Sequence, residues 1–430
     1  MTPGPAPLAD AYREAPYWLE GVKMPSPRET TLPAEADAVV VGGGFTGVAA
    51  GWELARRGRS VVILERHRLG WGASTRNGGM VLPDVKHAGV EELRRRHGRA
   101  GPAMYEGTIE AVRSLEDLIR EHAIESDYER RGHLELAHCS SAVPGLRRTQ
   151  RVYREVGLEA EVLVGDRLGE EIGSKAYPAA LAVELSGGLH PAKHFAGLAR
   201  LALDAGARAF EHTAADAIEG RRGRFVVQTA QGPIRASDVL VATDGYTGPL
   251  VPTLRRRVLP VGSFIIATEP IDPERAMGIS PRGRMFFDTR NFLSYWRLSP
   301  DGRRVLFGGR ASFAPTTVSR ARDFLYSRMV RVHPQLAGVG VDHAWGGTVG
   351  LTLDRFPRLG RTPEGLTYAL GYSGTGVAAS TFFGFAAARW IDGGEQPPFA
   401  GLEFPSIPLS WARPAWLPLV GLWFRWRDRC

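Results

Sequence analysis

The sequence predicts an α/β fold in which a Rossmann-like domain, assembled from separated segments, is interrupted by an inserted antiparallel-sheet domain. Three observations lead there. An apolar run, a glycine cluster and a helix-like stretch follow one another in "VVVGGGFTGVAAGWELARRGRSVVILER", residues 39–66. From 251 to about 342 the texture turns to alternating, aromatic, β-rich segments such as "NFLSYWRL" and "RRVLFGGR". Around Gly346 the glycine-rich α/β texture returns. At 430 residues the chain is too long for one small core, and two closely packed domains are expected.

The elements follow in order. Residues 1–33 carry seven prolines and little periodicity, which predicts an irregular arm laid over the surface. Residues 38–41 form a short continuous apolar run, as a buried parallel strand does. Residues 45–57 read as a helix ended by Gly58, and 61–64 as the second buried strand. A helix-like segment at 91–99 is rich in arginine. Residues 104–122 form an amphipathic helix with Ile109, Val112, Leu115, Leu118 and Ile119 on one face. A helix at 192–205 precedes strands at 225–229 and 239–243. The expected division is an arm at 1–35, a discontinuous nucleotide-binding domain at 36–95, 160–250 and 343–395, a second domain at 96–159 and 251–342, and a tail at 396–430.

Composition narrows the function. Hydrophobic residues at 43% and charged residues at 23% fit an ordinary globular chain with a core large enough for a big ligand. The net charge is 54 − 46 = +8, and because only Lys23, Lys86, Lys175 and Lys193 are lysines, the other 50 basic residues are arginines. They are spread along the chain, whereas a nucleic-acid surface needs them clustered with aromatics. No nucleic-acid partner is therefore expected. Cys139 and Cys430 give no metal spacing and imply no disulfide framework, which fits a cytoplasmic location. The N-terminus lacks a signal-peptide core, and no apolar run approaches the ~20 residues of a membrane span.

Gly42, Gly44 and Gly47 satisfy G-x-G-x-x-G between a strand and a helix. The first allows the tight turn, the second lets a pyrophosphate approach the backbone, and the third lets helix and sheet pack closely. The helix N-terminus offers free N–H groups to phosphates. Glu65 ends the next strand, where an acid accepts hydrogen bonds from ribose hydroxyls. A dinucleotide is the expected ligand, and the motif does not separate nicotinamide from flavin. "GWGASTRNGG", residues 70–79, reads as a loop passing close to a flat ring, or as a plain glycine-rich turn. "VLVATDGYTG" places Thr243 and Gly245 at a strand end, the usual position for ligand contact in an open sheet. "YALGYSGTGVAASTFFG", residues 368–384, is a second glycine-rich strand-to-helix turn. Its N–H groups suit negative charge on a reduced ring, and the alternative is helix capping by Ser373 and Thr375.

Together these segments resemble the FAD-dependent D-amino-acid oxidase / glycine oxidase superfamily, and most of all its γ-glutamylputrescine oxidase-like branch. The resemblance runs from "PYWLE" in the arm through "YERRGHLELA", "YWRLSPDGRRVLFGGR" and "AWGGTVGLTLDRFPRLGR" to "GYSGTGVAAST". Thr75 stands where the family pattern has glycine. The resemblance implies a Rossmann-like FAD-binding domain with an inserted antiparallel-sheet substrate domain that roofs the cavity. It implies that Gly42, Gly44, Phe45, Thr46, Gly47, Glu65 and Arg66 hold the ADP half, with a backbone contact at Ala215. Ser74, Arg76, Asn77 and Gly78 would lie near the pyrophosphate and flavin, Thr243 and Gly245 would flank the dinucleotide, and Gly374, Thr375, Gly376 and Val377 would sit by the flavin pyrimidine edge.

The implied reaction oxidises the C–N bond of an amine or amino acid by hydride transfer to flavin, with oxygen or a quinone-type acceptor closing the cycle. Candidates for the substrate cavity are Tyr295, Arg297, Arg310, Trp345 and Tyr372. Aromatics can box an amine, and an arginine can fork onto a carboxylate. For each of them, sheet packing or a surface ion pair is the plain alternative. His343 is expected to be structural rather than a base. In the D-amino-acid oxidase pattern an arginine in the segment matching residues 345–354 grips the α-carboxylate, and Val349 stands at that position. That favours an amine, with any remote carboxylate met by Arg297 or Arg310, over a D-amino-acid, glycine or sarcosine substrate. No lysine follows Lys193, which predicts a slow reaction with oxygen. Rival readings are a nicotinamide-dependent dehydrogenase, a flavin-dependent RNA-modifying protein and a non-catalytic flavoprotein. The tail "WARPAWLPLVGLWFRWRDR" is expected to pack its aromatic face on the body, with membrane-surface docking as the alternative.

Overall fold

The fold is that of a computed structural model describing residues 4–27, 31–83, 90–310, 313 and 316–429. Lys86 and Cys430 lie outside these. The valine-rich strand Glu35–Val41 sits in the middle of one sheet, with Val39 and Val40 wholly buried. β-Branched residues on both faces are what a strand covered on both sides requires. Val61–Leu64 and then Arg208–Phe210 pair parallel on one side of it. Ile234–Val241 pairs parallel on the other side and leads to the antiparallel strands Arg224–Gln228 and Ala217–Arg221. Thr367–Leu370 joins the end of Ile234–Val241 in parallel. The helix Phe45–Ala55 links the first two parallel strands, and Gly58 beyond it takes φ 81°.

The second sheet has nine strands in the order Leu8–Arg13, Val341–Leu351, Leu259–Thr268, Val305–Gly309, Ser294–Leu298, Met285–Asp288, His133–Leu136, Ala180–Val183, Ala160–Leu163. Residues 160–163, 180–183 and 343–351, expected in the nucleotide-binding segments, lie in strands of this sheet. Two of its pairings are parallel, Leu8–Arg13 on Val341–Leu351 and Met285–Asp288 on His133–Leu136, so the inserted sheet is mixed. The arm is not merely draped over the surface, since it supplies an edge strand and the fully buried Trp18. The helix Val318–Val332 was masked in sequence by four arginines. Its buried stripe, Ala321, Leu325, Met329 and Val332, covers one face of the sheet. Cys139 is disulfide-bonded, where the sequence implied no disulfide framework. No helix among the described residues is long and apolar enough to cross a membrane.

What positions the site is a helix pair. Phe45–Ala55 packs on Gly376–Ile391, the helix after the second glycine turn. Gly384 makes this possible, because a Cβ there would lie 2.5 Å from the Thr46 carbonyl oxygen and 2.8 Å from Ala49 Cβ. At the other end the buried Glu53 carboxylate takes Arg56 at 2.5 Å, Arg57 at 2.9 Å and Arg389 of the partner helix at 3.0 Å. Burial alone would raise the Glu53 carboxyl, but hydrogen bonds from Arg56, Arg389 and Arg57 hold it below the usual range. A lowered carboxyl stabilises the fold above its unfolded pKa, and that contribution disappears as pH falls through the folded value. Glu53→Gln should therefore cost about 1–3 kcal/mol at neutral pH by urea unfolding. The difference from the parent should shrink as pH drops below about 4. An unchanged midpoint at pH 7 would remove Glu53 from this role.

Candidate active site

The first glycine turn is closed by contacts that leave no space for side chains. Gly42 has φ 110°, and a Cβ on it would lie 2.7 Å from the Ala242 carbonyl oxygen. A Cβ on Gly47 would lie 1.9 Å from the Gly42 carbonyl oxygen, so Gly47 serves helix packing and does not reach the cavity. The helix starts after Gly44 with no side-chain cap, and Ser74 Oγ accepts the Phe45 N–H at 2.9 Å. Glu65 fixes the loop from the next strand, its two oxygens accepting Gly43 N–H and His67 N–H, each at 2.8 Å. Each of those oxygens keeps a further lone pair for a ribose hydroxyl.

The second turn is built differently. Gly371, Ser373 and Gly374 take φ of 84°, 55° and 101°, and around Gly374 a Cβ would meet nothing within 4 Å. Asp244 holds this turn to the central sheet, Oδ1 accepting Gly371 N–H at 2.7 Å and Tyr372 N–H at 3.3 Å. Burial raises the Asp244 carboxyl, opposed by backbone N–H groups of Gly371, Gly245, Tyr372 and Gly350. Capping by Ser373 and Thr375 does not occur. Ser373 Oγ donates to the Gly371 carbonyl and Thr375 Oγ1 to the Tyr372 carbonyl, both at 3.1 Å, and the helix begins without a side-chain cap. Tyr372 Oη lies 2.7 Å from Thr46 Oγ1 and ties the two turns together. Two helix N-termini, neither capped by its own N-cap side chain, thus border one cavity, and such ends attract negative charge.

The loop at 73–79 is held from behind. Trp18 Nε1 donates to the Asn77 carbonyl at 2.8 Å, and Trp345 Nε1 to the Arg76 carbonyl at 2.9 Å. Arg297 Nη1 donates to the Gly79 and Leu189 carbonyls at 2.9 and 3.0 Å. Asn77 bonds within the loop, Nδ2 donating to the Ser74 carbonyl at 2.9 Å and Oδ1 accepting Gly79 N–H at 2.7 Å. The arm therefore belongs to the site, which its proline-rich sequence did not indicate.

These elements enclose a cavity of about 1190 Å³. Small-molecule sites run to roughly 1,000 Å³, so there is room for a dinucleotide and a second molecule. The structure brings Gly42, Gly44, Phe45, Thr46, Glu65, Arg66, Ser74, Arg76, Asn77, Gly78, Ala215, Thr243, Gly374, Thr375, Gly376 and Val377 to its wall. Gly245 lies behind it, packed against Gly350 and Thr348. Of the substrate-cavity candidates, Tyr295, Arg310 and Tyr372 line the cavity, whereas Arg297 and Trp345 do not. Their polar groups are spent on the loop carbonyls, so both act as supports. His343 is buried elsewhere, 3.1 Å from Glu20.

Part of the roof is apolar and neutral. Val261, Gly262, Ser263, Tyr295, Gly347, Thr348 and Val349 face the cavity without a carboxylate or imidazole among them, while Glu135, His138 and Asp288 of the same region also line it. Tyr295 Oη lies 3.2 Å from Ser263 Oγ, and burial pushes its hydroxyl up to about 12. Its ring fits only because Gly308 is bare, a Cβ there falling 2.3 Å from Tyr295 Cζ. Arginine is frequent in the rest of the lining, as at Arg148, Arg151, Arg310 and Arg355, together with Glu92, Glu135, Glu155 and Asp288. Arg310 has Nη1 donating to the Asn291 carbonyl at 3.0 Å and its guanidinium over the Phe313 ring at 4.7 Å. Burial, then the nearby Arg355, lower it to about 10. No ion pair holds Arg310 among the described residues. Sequence reading missed Asp244, Trp18 and Tyr246, whose Oη accepts Thr348 N–H at 3.1 Å. Asp244 and Tyr246 stood inside the motif "ATDGYTG", and only the strand-end position signalled them.

Trp18→Ala should lower unfolding free energy by about 3–5 kcal/mol, since it empties a core site and frees the Asn77 carbonyl. Trp18→Phe should lose less by keeping the volume. Chemical denaturation checks both, and a loss under about 1 kcal/mol for the alanine variant would contradict the supporting role.

Comparison with known proteins agrees with this geometry. Residues 37–390 match the model of the FAD dependent oxidoreductase family. The chain is 32% identical to a probable oxidoreductase OrdL of Rhizobium meliloti, covering 99% of both chains. It is 30% identical to gamma-glutamylputrescine oxidoreductase of Escherichia coli, covering 91% of this chain and 93% of that one. The crystal structure of glycine oxidase from Geobacillus kaustophilus superposes with a TM-score of 0.73 at 23% identity, over 86% of this chain and 98% of that one. The chain belongs to the family of FAD-dependent oxidoreductases.

Proposed function

We propose that the chain oxidises the C–N bond of an amine to an imine, with FAD lying across the cavity from the first glycine turn to the second. The observation that carries this reading is the pair of helix N-termini, neither capped by its own N-cap side chain, opening into one cavity. The residues present fit FAD. Gly44 leaves the backbone bare at the pyrophosphate position, Glu65 keeps acceptor capacity for a ribose, and the space around Gly374 is open. Bound FAD supplies the acceptor for the hydride leaving the substrate carbon. The chain's own residues do the rest. N–H groups at 374–377 favour negative charge at the ring edge, and Tyr295 and Tyr372 wall the reacting end. The amine reacts as its free base, because the nitrogen lone pair must be available as hydride leaves the adjoining carbon. Oxygen or a quinone-type carrier takes the electrons.

Gly44→Leu should abolish FAD retention, because the nearest heavy atom to a Cβ there, Ser74 Oγ, is already at 2.9 Å and the side chain would occupy the phosphate path. Purified protein that keeps its yellow colour and full flavin content would sink this assignment of the loop.

The substrate reading follows from Val349 and Arg310. Val349 offers an α-carboxylate no partner, and a buried unpaired carboxylate is costly. Arg310 is a buried cation on the cavity wall, in no ion pair among the described residues, and suits a remote carboxylate. In anaerobic mixing, γ-glutamylputrescine should reduce the flavin faster than D-alanine, glycine, sarcosine or putrescine. Arg310→Gln should weaken that substrate by about 1.5–3 kcal/mol, roughly 10- to 150-fold, and leave putrescine unchanged. Fastest reduction by D-alanine, saturating at low concentration, would show the Val349 argument to be wrong.

A further inference from the structure

The C-terminal helix Arg413–Arg427 has two apolar faces, and the protein body covers one of them. On the covered face, Phe424 packs on Phe313 with ring centroids 5.4 Å apart, and Gly421 lets the helix approach Phe313. Asp428 locks this end, its carboxylate accepting Asn291 N–H, Asn291 Nδ2–H and Phe292 N–H, each at 2.8 Å. On the other face, Leu419, Leu422, Trp423 and Trp426 are 65%, 61%, 49% and 67% exposed. Their spacing of i, i+3, i+4 and i+7 makes one continuous stripe along the helix. The aromatic face expected to pack on the body thus points outward. The turn before the helix adds Trp411, 83% exposed.

The charges around this stripe have one sign. Between 404 and 427 the sequence has no acid, and Arg413, Arg425, Arg427 and Arg429 flank the helix. The one nearby acid, Asp428, is turned inward on Asn291, so 411–429 carries 4 − 1 = +3. Arg427 stacks on Trp423 at 4.9 Å, a cation held beside the apolar stripe. Tryptophan and leucine on one face with arginine at the margins is the pattern of a helix that lies in a lipid headgroup layer. The helix spans roughly 22 Å at 1.5 Å per residue, which is enough to lie on a bilayer and too short to cross one. A second copy of this chain would bring the same arginines together, whereas an anionic lipid surface neutralises them.

We infer that the exposed stripe of the C-terminal helix docks the protein on an anionic membrane surface. Arg427 and Arg429 also line the large cavity, so docking brings that part of the cavity wall to the lipid surface. A lipid-dissolved acceptor is then within reach. That last consequence rests on the oxidoreductase function proposed above, and the docking itself does not.

The test uses the full chain loaded with FAD and two sets of vesicles, phosphatidylcholine alone and phosphatidylcholine mixed equally with phosphatidylglycerol. Cosedimentation should be at least about tenfold stronger with the anionic vesicles and should fall at about 0.5 M salt. Tryptophan emission should shift to the blue on binding. The double variant Leu422→Ser/Trp426→Ser should lose at least about tenfold in binding. Its flavin absorbance and its reduction by amine should match the parent, which separates loss of docking from loss of the site. The inference is overturned by absence of binding to either vesicle, by equal binding to both, or by equal binding of parent and variant. It is also overturned by a concentration-dependent dimer in light scattering that the variant abolishes, since a second copy would then cover the stripe.

Discussion

The contact on which the rest depends is the close approach of helices Phe45–Ala55 and Gly376–Ile391. Each follows a glycine-rich turn, and in sequence the turns are more than 300 residues apart. Gly384 lets the helices touch backbone to side chain, the Glu53 carboxylate holds one end through Arg389, and Thr46 bonds to Tyr372 at the other. Because the pair packs side by side, both N-termini point into one space. Partial positive charge at two helix ends is unfavourable unless something negative lies between them, and a dinucleotide with a reducible ring meets that need at both ends.

A second layer of contacts keeps this arrangement rigid. Buried indole and guanidinium donors must find acceptors, and Trp18, Trp345 and Arg297 find them on the carbonyls of the 73–79 loop. The loop cannot then turn those carbonyls toward the ligand. Three distant parts of the chain, the arm, the long strand Val341–Leu351 and the strand Ser294–Leu298, meet at one loop for this purpose. Arg297 shows how burial redirects function, since a cation that could have gripped a substrate is engaged by backbone oxygens.

Charge is distributed unevenly around the cavity. The helix N-termini offer N–H groups, and Val261, Tyr295 and Val349 offer neutral surface. Arginine is frequent in the rest of the lining, with Arg310 near 10 because burial and a like-charged neighbour disfavour its proton. The same sign of charge continues along the C-terminal helix, whose outward stripe is apolar. A negative group at the far end of a substrate and a negative surface outside are the complements these regions share.

The sequence alone determined the parallel sheet and its first turn, because valine runs, glycine spacing and a terminal acid are all local patterns. Val61–Leu64 fell where its apolar run predicted, and helix ends lay within a few residues of their glycine stops. The glycine turn at 371–376 was also legible, since a strand, three glycines and a helix adjoin one another. What only the tertiary structure decided involves partners distant in the chain. Trp18 became part of the site because its one donor meets a carbonyl 59 residues away. Arg297 and Arg310 look alike in sequence, and burial against two carbonyls in one case and a cavity wall in the other set them apart. The tail's aromatic residues followed helical spacing, yet which stripe faced inward depended on Gly421, Phe424 and Asp428 meeting Phe313 and Asn291, an encounter no local pattern encodes.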